Sequence, residues 1–287
     1  MNVFLTGATG YIGSVVAEYL LKTGNTVTGY ARSAASAEKL TAAGIEPAHQ
    51  LEDAKNTDAV IHLAAQFGPQ MAQVDEHAVR TLIAALRGSG KPFVYTSGAW
   101  VLGPTRGHVA GEMAPVRPPQ VVAWRPAIEK LALAAVEEKV RASVIRPTMV
   151  YGRAGGVIGK FVHDAREFGV VRIVGGGANH WSFVHVDALA ELYLLAIRQQ
   201  PSGEIFLAAD GPAFTVRTVA DTVATMYETK VELILMDDAR ASLGPIADAM
   251  VMDQKIMSTK AGRMLGWAPR WPSVLDDIRS GSYAPAS

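Results

Sequence analysis

Residues 2–13 read NVFLTGATGYIG, and this stretch decides the fold. A short apolar run predicts a buried strand, and an amphipathic pattern follows the glycines. Gly7 permits a tight turn, Gly10 lets a diphosphate approach the backbone, and Gly13 lets the helix and the strand pack closely. We therefore predict a dinucleotide site in which phosphate sits on the N–H groups at the helix start. The residues predicted to bind cofactor in this loop are Gly7, Thr9, Gly10, Tyr11, Ile12 and Gly13.

Short apolar runs alternate with helical patterns along most of the chain. This alternation predicts an α/β fold, a Rossmann-type doubly wound parallel sheet with helices on both faces. The predicted strands are 2–6, 26–31, 58–64, 91–97, 142–147 and 204–209. The predicted helices between them are 11–22, 34–43, 71–87, 127–139 and 187–199.

The pattern changes after about residue 152. The glycine cluster GGGAN occupies 175–179, and helical segments follow at 214–227, 239–250 and 272–280 without clear strands between them. We interpret these pieces as a smaller C-terminal substrate-binding cap. The expected dinucleotide-binding domain spans 1–152 and 181–210, and the expected cap spans 153–180 and 211–287.

Composition excludes several classes of function. Lys+Arg and Asp+Glu each total 27, without basic runs, so neither nucleic acid nor an anionic membrane is expected as a partner. The absence of cysteine excludes disulfides, thiol nucleophiles and thiolate metal sites. The seven histidines are dispersed, so no metal site is expected. The start has no basic signal region and no apolar run reaches about 18 residues, which makes a cytoplasmic location the expectation.

The end of the second predicted strand indicates which nicotinamide cofactor binds. An acidic residue at this point hydrogen-bonds the adenine ribose of NAD, whereas this chain has Ala31 followed by Arg32. A guanidinium can hold the 2′-phosphate in a bidentate fork, worth about 1.5–3 kcal/mol. We therefore predict NADP(H), with NAD(H) as the second choice. A solvated surface arginine is the alternative.

Further blocks carry a family resemblance over nearly the whole chain. Besides TGATGYIG (6–13), these are VIHLAA (60–65), VYTSGAWVLG (94–103), RPTMVYG (146–152), WSFVHVDALA (181–190) and STKAGRMLGWAP (258–269). In this order they resemble the extended and atypical short-chain dehydrogenases/reductases of the NAD-dependent epimerase/dehydratase type. The joint match is much more specific than any single motif.

The resemblance implies further cofactor contacts. Leu63, Ala64 and Ala65 would line the adenine-ribose side, Thr96 and Ser97 would approach the nicotinamide ribose, and the segment from Pro147 to Val150 would flank the nicotinamide. His185 and Asp187 would lie beside the substrate cleft. For Asp187 we favour a helix N-cap, and for His185 a buried, hydrogen-bonded structural role.

The family's catalytic residues are missing. The resemblance sets Val121 where the usual Tyr-x-x-x-Lys begins and Arg125 at its lysine, and it sets Gly98 at the catalytic hydroxyl and Leu102 at the tyrosine of the block 94–103. Reduction of a carbonyl produces an alkoxide that needs a proton, normally from a tyrosine whose pKa a neighbouring cation lowers. Valine donates no proton, and arginine stays protonated in proteins.

Three residues are the candidates for catalysis. Arg125 can supply positive charge to the cofactor ribose or to a substrate anion, and Glu129 can act as a general acid if burial raises its pKa, although a salt bridge suits it equally. Tyr151 lies near the nicotinamide by resemblance, but we favour a structural role for it.

Three functions remain open. An NADP(H)-dependent oxidoreductase acting on a small carbonyl or sugar-like metabolite comes first, a non-catalytic NADP(H)-binding regulatory protein second. A nucleotide-sugar epimerase or dehydratase is weaker, since that chemistry uses the missing tyrosine as base. A homodimer through helices that include Val79, Leu82 and Ile83 is a further expectation, with burial inside the monomer as its alternative.

Overall fold

A computed structural model describes residues 1–65 and 68–285 as an α/β protein. The strands in these residues are β1 (Asn2–Thr6), β2 (Thr26–Tyr30), β3 (Glu46–Ala48), β4 (Ala59–His62), β5 (Pro92–Thr96), β6 (Val109–Ala110), β7 (Arg141–Pro147), β8 (Met149–Tyr151), β9 (Val170–Val174), β10 (His180–Trp181), β11 (Phe183–His185), β12 (Glu204–Ala208), β13 (Phe214–Thr215), β14 (Lys230–Ile234) and β15 (Lys255–Ile256). The α-helices are α1 (Tyr11–Lys22), α2 (Ala34–Ala42), α3 (Met71–Leu86), α4 (Arg125–Ala134), α5 (Gly156–Phe168), α6 (Val186–Gln199), α7 (Val216–Met226), α8 (Met236–Leu243), α9 (Ile246–Met250), α10 (Lys260–Leu265) and α11 (Val274–Ser280). None of these helices combines the length and the apolar character needed to cross a bilayer.

Seven strands form the central parallel sheet, in the order β12-β7-β5-β4-β1-β2-β3. The sequence order reverses at β1, which pairs with β2 on one side and with β4 on the other. In open α/β sheets ligands bind at such a switch point, outside the carboxyl ends of the strands. The six predicted strands of this sheet are confirmed to within two residues at each end, whereas β3, which is short and contains Pro47, was missed.

Helices cover both faces of this sheet, as predicted for a doubly wound fold. Because side chains alternate along a strand, Phe4 and Leu5 of β1 point into different cores. The Leu5 core takes in helices α1 and α6, and the Phe4 core takes in α3 and α4. Three residues considered for a dimer face are buried in the Phe4 core: Val79, Leu82 and Ile83.

A third core lies beyond the central sheet. Apolar side chains of α5, α7, α11 and the strands β8, β9 and β11 pack together there, around the buried Tyr151 and Phe161. The expectation that no clear strands separate the helical segments after residue 210 was wrong, because β14 pairs with β9 in parallel and β15 pairs with β6. The helix predicted over 239–250 is broken between α8 and α9, where Gly244 is left-handed at φ +59° and Pro245 follows. The limits of the two predicted domains stay a prediction.

Candidate functional site

The carboxyl ends of β1, β2, β4, β5 and β7 meet along one edge of the parallel sheet. Residues that the sequence marked for cofactor binding follow directly: Gly7 after β1, Arg32 after β2, Leu63 after β4 and Ser97 after β5. Residues far apart in the chain therefore share one edge. This edge divides into a nucleotide side, formed by β1, β2 and β4, and a cleft side, formed by β5, β7 and β12.

The glycine loop on the nucleotide side is built as its sequence predicts. Gly7 has φ +74°, and a Cβ there would lie 2.8 Å from the backbone N of Ala64. A Cβ on Gly13 would lie 2.0 Å from the carbonyl oxygen of Gly7, so only glycine lets α1 approach the loop this closely. Gly10 is the N-cap of α1 and has no side chain that could cap the first N–H groups. These features fit the diphosphate of a dinucleotide.

The hydroxyl of Thr6 holds the glycine loop against the end of β4. Its oxygen accepts hydrogen bonds from the backbone N–H groups of Leu63 and Ala64, each at 3.1 Å. It also lies 2.7 Å from Nδ1 of the buried His62. Since two donors already occupy the oxygen, the hydroxyl hydrogen must go to His62, so Nδ1 is the acceptor and the proton of the neutral ring is on Nε2.

The network continues into the sheet core. His62 Nε2 lies 3.0 Å from one carboxylate oxygen of Asp75, and the Tyr95 hydroxyl donates to the other at 2.6 Å. Asp75 lies on α3, so this network connects that helix to the segment after β4. His62 belongs to the block VIHLAA, but no role was predicted for it, and Asp75 was missed. A polar residue inside an apolar strand was the available signal.

Tyr11 joins the glycine loop to the segment after β8. Its hydroxyl donates to the carbonyl of Gly152 at 2.8 Å, and its ring leaves no room for a Cβ on Gly155. Thr9 is exposed, while Ile12 is partly buried against the Leu5 core. Tyr11 was predicted to bind cofactor, and in the structure its side chain connects the glycine loop to Gly152.

The end of β2 presents a small residue and then a cation. Ala31 is buried, and Arg32 is exposed at the surface. Helix α2 begins two residues later, capped by the Ser33 hydroxyl, which accepts from the N–H of Ser36, and no acidic residue lies in its first turn. The positive end of this helix and the guanidinium therefore create an environment suited to an anion.

The cleft side contains a cavity of about 200 Å³ with mainly apolar walls. The apolar and aromatic lining residues are Met71, Ala99, Trp100, Val121, Val122, Trp124, Pro147, Met149, Trp181 and Ile246. Arg125 is the one charged side chain among the lining residues that the structure describes. Its Nη1 donates to the carbonyl of Thr96 at 3.1 Å, and its guanidinium lies 4.7 Å from the centre of the Trp124 ring.

The other polar side chains of the lining differ in what they bind. Thr148 donates to Ala208, Ser182 accepts from the N–H of Ile256, and Gln254 donates to the carbonyls of Ala99 and Gly103. By contrast, Ser97 Oγ and Trp124 Nε1 are buried without a hydrogen-bond partner among the residues that the structure describes. Ser97 was predicted to contact the cofactor, whereas no role was predicted for Trp124.

Of the three catalytic candidates, the structure brings Arg125 to the cleft. Glu129 lies one turn further along α4, buried, and it accepts two hydrogen bonds from Arg146 of β7 at 2.8 and 2.6 Å. Tyr151 is buried in the third core, where its hydroxyl donates to the carbonyl of Pro272 at 2.6 Å and burial raises its pKa. Neither Glu129 nor Tyr151 lines the cavity.

The remaining predicted cofactor residues lie along the same edge. Ser97 and Pro147 line the cavity, and the Thr96 hydroxyl is hydrogen-bonded to that of the buried Tyr193 at 2.7 Å. Val150 is half-buried against the Leu5 core, and Ala64 and Ala65 are exposed beside the glycine loop. The edge therefore brings the predicted cofactor residues and the cavity together at Ser97 and Pro147.

The expected N-cap role of Asp187 is wrong. Helix α6 begins at Val186, and its cap is His185, whose Nδ1 accepts from the N–H of Asp187 at 3.2 Å. Asp187 lies in the first turn, where the helix dipole stabilises a carboxylate. Its Oδ2 accepts a hydrogen bond from Arg153 Nε at 3.0 Å. His185 is buried and hydrogen-bonded as expected, it stacks on Trp271 at 4.7 Å, and burial lowers its pKa.

Comparison with known proteins gives relatives over the full chain. An uncharacterized protein of Saccharomyces cerevisiae is 29% identical over 298 residues, which cover 98% of each chain. The 4-hydroxy-2-methyl-3-oxo-4-farnesyl-3,4-dihydroquinoline-1-oxide ketoreductase of Stigmatella aurantiaca is 26% identical over 251 residues, 81% of this chain and 75% of the ketoreductase. The dTDP-glucose 4,6-dehydratase of Bacillus anthracis, solved in complex with NAD, has the same fold: its TM-score is 0.81 at 16% identity, over 99% of this chain and 94% of that one.

The family assignment comes from a match to a family profile. The profile of the NAD dependent epimerase/dehydratase family matches residues 3–209. This match begins in β1, includes the glycine loop and ends just after β12, so it spans the central sheet and both sides of the edge described above. The chain therefore belongs to the NAD dependent epimerase/dehydratase family.

Proposed function

We propose that this protein is an NADP(H)-dependent oxidoreductase that acts on the carbonyl group of an apolar, uncharged small molecule, without the family's usual Ser-Tyr-Lys set. The observation that carries the proposal is the cavity. Among the residues that the structure describes, its lining includes three tryptophans and a single charged residue, and it adjoins the predicted nicotinamide position at Ser97 and Pro147. Such a surface favours an apolar compound over a phosphate-bearing one.

The cofactor would lie along the nucleotide side. The residues Gly7, Thr9, Gly10, Tyr11, Ile12 and Gly13 would hold its diphosphate, and Leu63, Ala64 and Ala65 its adenine ribose. When bound, it supplies or accepts a hydride. Thr96, Ser97, Pro147 and Val150 would hold the nicotinamide end beside the cavity.

The preference for NADP(H) over NAD(H) rests on Arg32 and Ala31. The exposed guanidinium and the positive end of α2 favour a 2′-phosphate, and Ala31 offers no carboxylate to hydrogen-bond a ribose hydroxyl. Arg32→Ala should lower the affinity for NADPH about tenfold or more while leaving that for NADH nearly constant. Calorimetry on both nucleotides measures the ratio, and an unchanged ratio would contradict the preference.

Arg125 is the residue that would stabilise charge in the reaction. The substrate oxygen becomes negative during reduction, and a fixed cation beside a poorly hydrated cavity is effective at stabilising it. Gly98 and Val121 have no hydroxyl to donate, so the proton would come from water. A regulatory protein without turnover is the second candidate, favoured by these same two residues. An epimerase or dehydratase is less compatible with them, because its mechanism requires a base.

Turnover separates the candidates. NADPH oxidation would be followed with aromatic ketones, aliphatic ketones, quinones and free sugars at equal concentration. We expect oxidation with the apolar carbonyl compounds and little with the sugars, and Arg125→Met should reduce it strongly without abolishing NADPH binding. Oxidation with sugars alone would contradict the substrate class. NADPH binding without oxidation by any compound would favour the regulatory function.

A further inference from the structure

Two residues that line the cavity carry a hydrogen-bond donor that nothing in the described chain uses. Ser97 is 6% exposed, and its Oγ has no hydrogen-bond partner; the Nε1 atom of Trp124 is likewise buried and unpartnered. Native proteins satisfy nearly all buried polar groups, and leaving one unpaired costs about 1–3 kcal/mol. Both residues line the same cavity, so a ligand there can supply the missing partner.

The chemistry of the two groups specifies what that partner must be. An indole N–H is a donor with no acceptor capacity, and a serine hydroxyl offers a hydrogen as well as lone pairs. A ligand that satisfies both must therefore present an acceptor atom, and in the proposed carbonyl compounds this is the carbonyl oxygen. An alcohol oxygen would also serve.

Arg125 connects the two donors. It follows Trp124 in the chain, and its bond to the carbonyl of Thr96 ties this helix start to the residue that precedes Ser97. Its guanidinium also lies over the Trp124 ring, where positive charge strengthens the N–H as a donor. The buried pair of Glu129 with Arg146 fixes α4 to β7, and Trp124 is the N-cap of this helix, while Ser97 directly follows β5.

We propose that Ser97 Oγ and Trp124 Nε1 form an acceptor-recognition site, which selects apolar ligands that carry an oxygen acceptor and rejects hydrocarbons of the same shape. A hydrocarbon would fill the cavity and leave both donors unpaired, and this penalty is the source of the selectivity. The inference rests on the proposed function for its choice of a carbonyl compound as the ligand class, but it concerns binding and requires no turnover.

The test compares 2-acetylnaphthalene with its hydrocarbon counterpart, 2-isopropenylnaphthalene. Titration calorimetry on protein saturated with NADP⁺ gives both affinities, because the oxidised cofactor cannot reduce the ketone. We expect the wild-type protein to bind the ketone about tenfold more tightly than the hydrocarbon. Ser97→Ala and Trp124→Phe should each remove most of this ratio by weakening the ketone alone, and their melting temperatures verify folding.

Trp181→Phe is the matched control. Trp181 lines the same cavity, but its Nε1 already donates to the carbonyl of Met250 at 3.2 Å, so this substitution should leave the ratio unchanged. An unchanged ratio in both Ser97→Ala and Trp124→Phe would overturn the proposal, as would failure of the wild type to bind either compound. A drop in NADP⁺ affinity with unaltered ketone selectivity in Ser97→Ala would assign that hydroxyl to the cofactor and overturn its role here.

The outcome can be separated from that of the proposed function. Selective ketone binding without any NADPH oxidation would support the acceptor-recognition site and contradict the oxidoreductase. Turnover of ketones, with the ratio of ketone to hydrocarbon affinity unchanged in Ser97→Ala and Trp124→Phe, would support the oxidoreductase and contradict the acceptor-recognition site.

Discussion

The two sides of the sheet edge are built in different ways. The nucleotide side relies on backbone groups, with glycines that leave no room for a Cβ and a threonine that fixes two N–H groups. The cleft side relies on side chains, namely a buried ion pair and a cavity with tryptophan walls. A site of backbone groups can stay the same across many sequences, whereas a site of side chains changes with each substitution. This difference agrees with the prediction that the family's glycine loop is kept in this chain while its catalytic residues are not.

The largest expected effect concerns the cleft side. Glu129→Gln leaves the buried Arg146 guanidinium without its carboxylate, since both side chains are about 3% exposed, and should lower the free energy of unfolding by about 3–5 kcal/mol. Urea denaturation measures the change. The matched control is Glu76→Gln, which breaks an exposed pair with Arg80 and should cost less than about 1 kcal/mol. Equal costs would show that the cleft side does not depend on this pair.

On the nucleotide side, Gly13→Ala tests whether the loop depends on its backbone. The new Cβ would meet the Gly7 carbonyl oxygen at 2.0 Å, so the loop must shift at a cost of about 3 kcal/mol. NADPH affinity should fall at least about tenfold, because the N–H groups move with the loop. Gly211→Ala is the control, since its Cβ would meet open space. Unchanged NADPH affinity in Gly13→Ala would show that nucleotide binding does not depend on the position of these backbone groups.

A smaller effect is expected at Thr6. Thr6→Val keeps the shape of the side chain but removes the oxygen that binds Leu63, Ala64 and His62, and should destabilise the fold by about 2 kcal/mol. Thr6→Ser retains the oxygen and should recover most of the loss. Thermal unfolding of the three proteins tests this order. A valine variant as stable as the wild type would contradict the role of the hydroxyl, and a serine variant as unstable as the valine variant would show that the methyl group is needed as well.

The smallest effect is a pH dependence on the cleft side. Asp210 follows β12, and burial raises its pKa from 3.8 to about 6. The folded state then holds this proton more tightly than the unfolded state, so stability decreases as pH rises from about 4 to about 6 and changes no further above that range. This shift corresponds to about 3 kcal/mol at full effect, and the partial solvent exposure of Asp210 reduces the expected loss to about 1–2 kcal/mol. The difference in unfolding free energy between wild type and Asp210→Asn, measured by urea at each pH, should shift by this amount, and a constant difference would contradict it.

The two sides also differ in how much of them could be predicted from the sequence. The glycine loop and the six strands of the sheet follow from local constraints, namely a residue without a Cβ and a short apolar run. The cavity does not, because its lining comes from segments as distant as Met71 and Gln254. Asp187 was misassigned because a first-turn acid and an N-cap acid look alike in sequence, and only the structure places Arg153 beside it. The partner of Glu129 could not be predicted either, because Arg146 lies on a different element, β7, and only the fold brings the two side chains together.

The order of the sheet also bears on how the chain is made. Strand β12 reaches its place beside β7 only after residues 148–203 have been synthesised. Until then β7 is an unprotected outer strand, with backbone groups that a second nascent chain can pair with. Completion of the sheet is thus a long-range event, which favours slow folding and makes early intermediates prone to aggregate. Dilute refolding conditions, or a chaperone during translation, should therefore raise the yield of native protein.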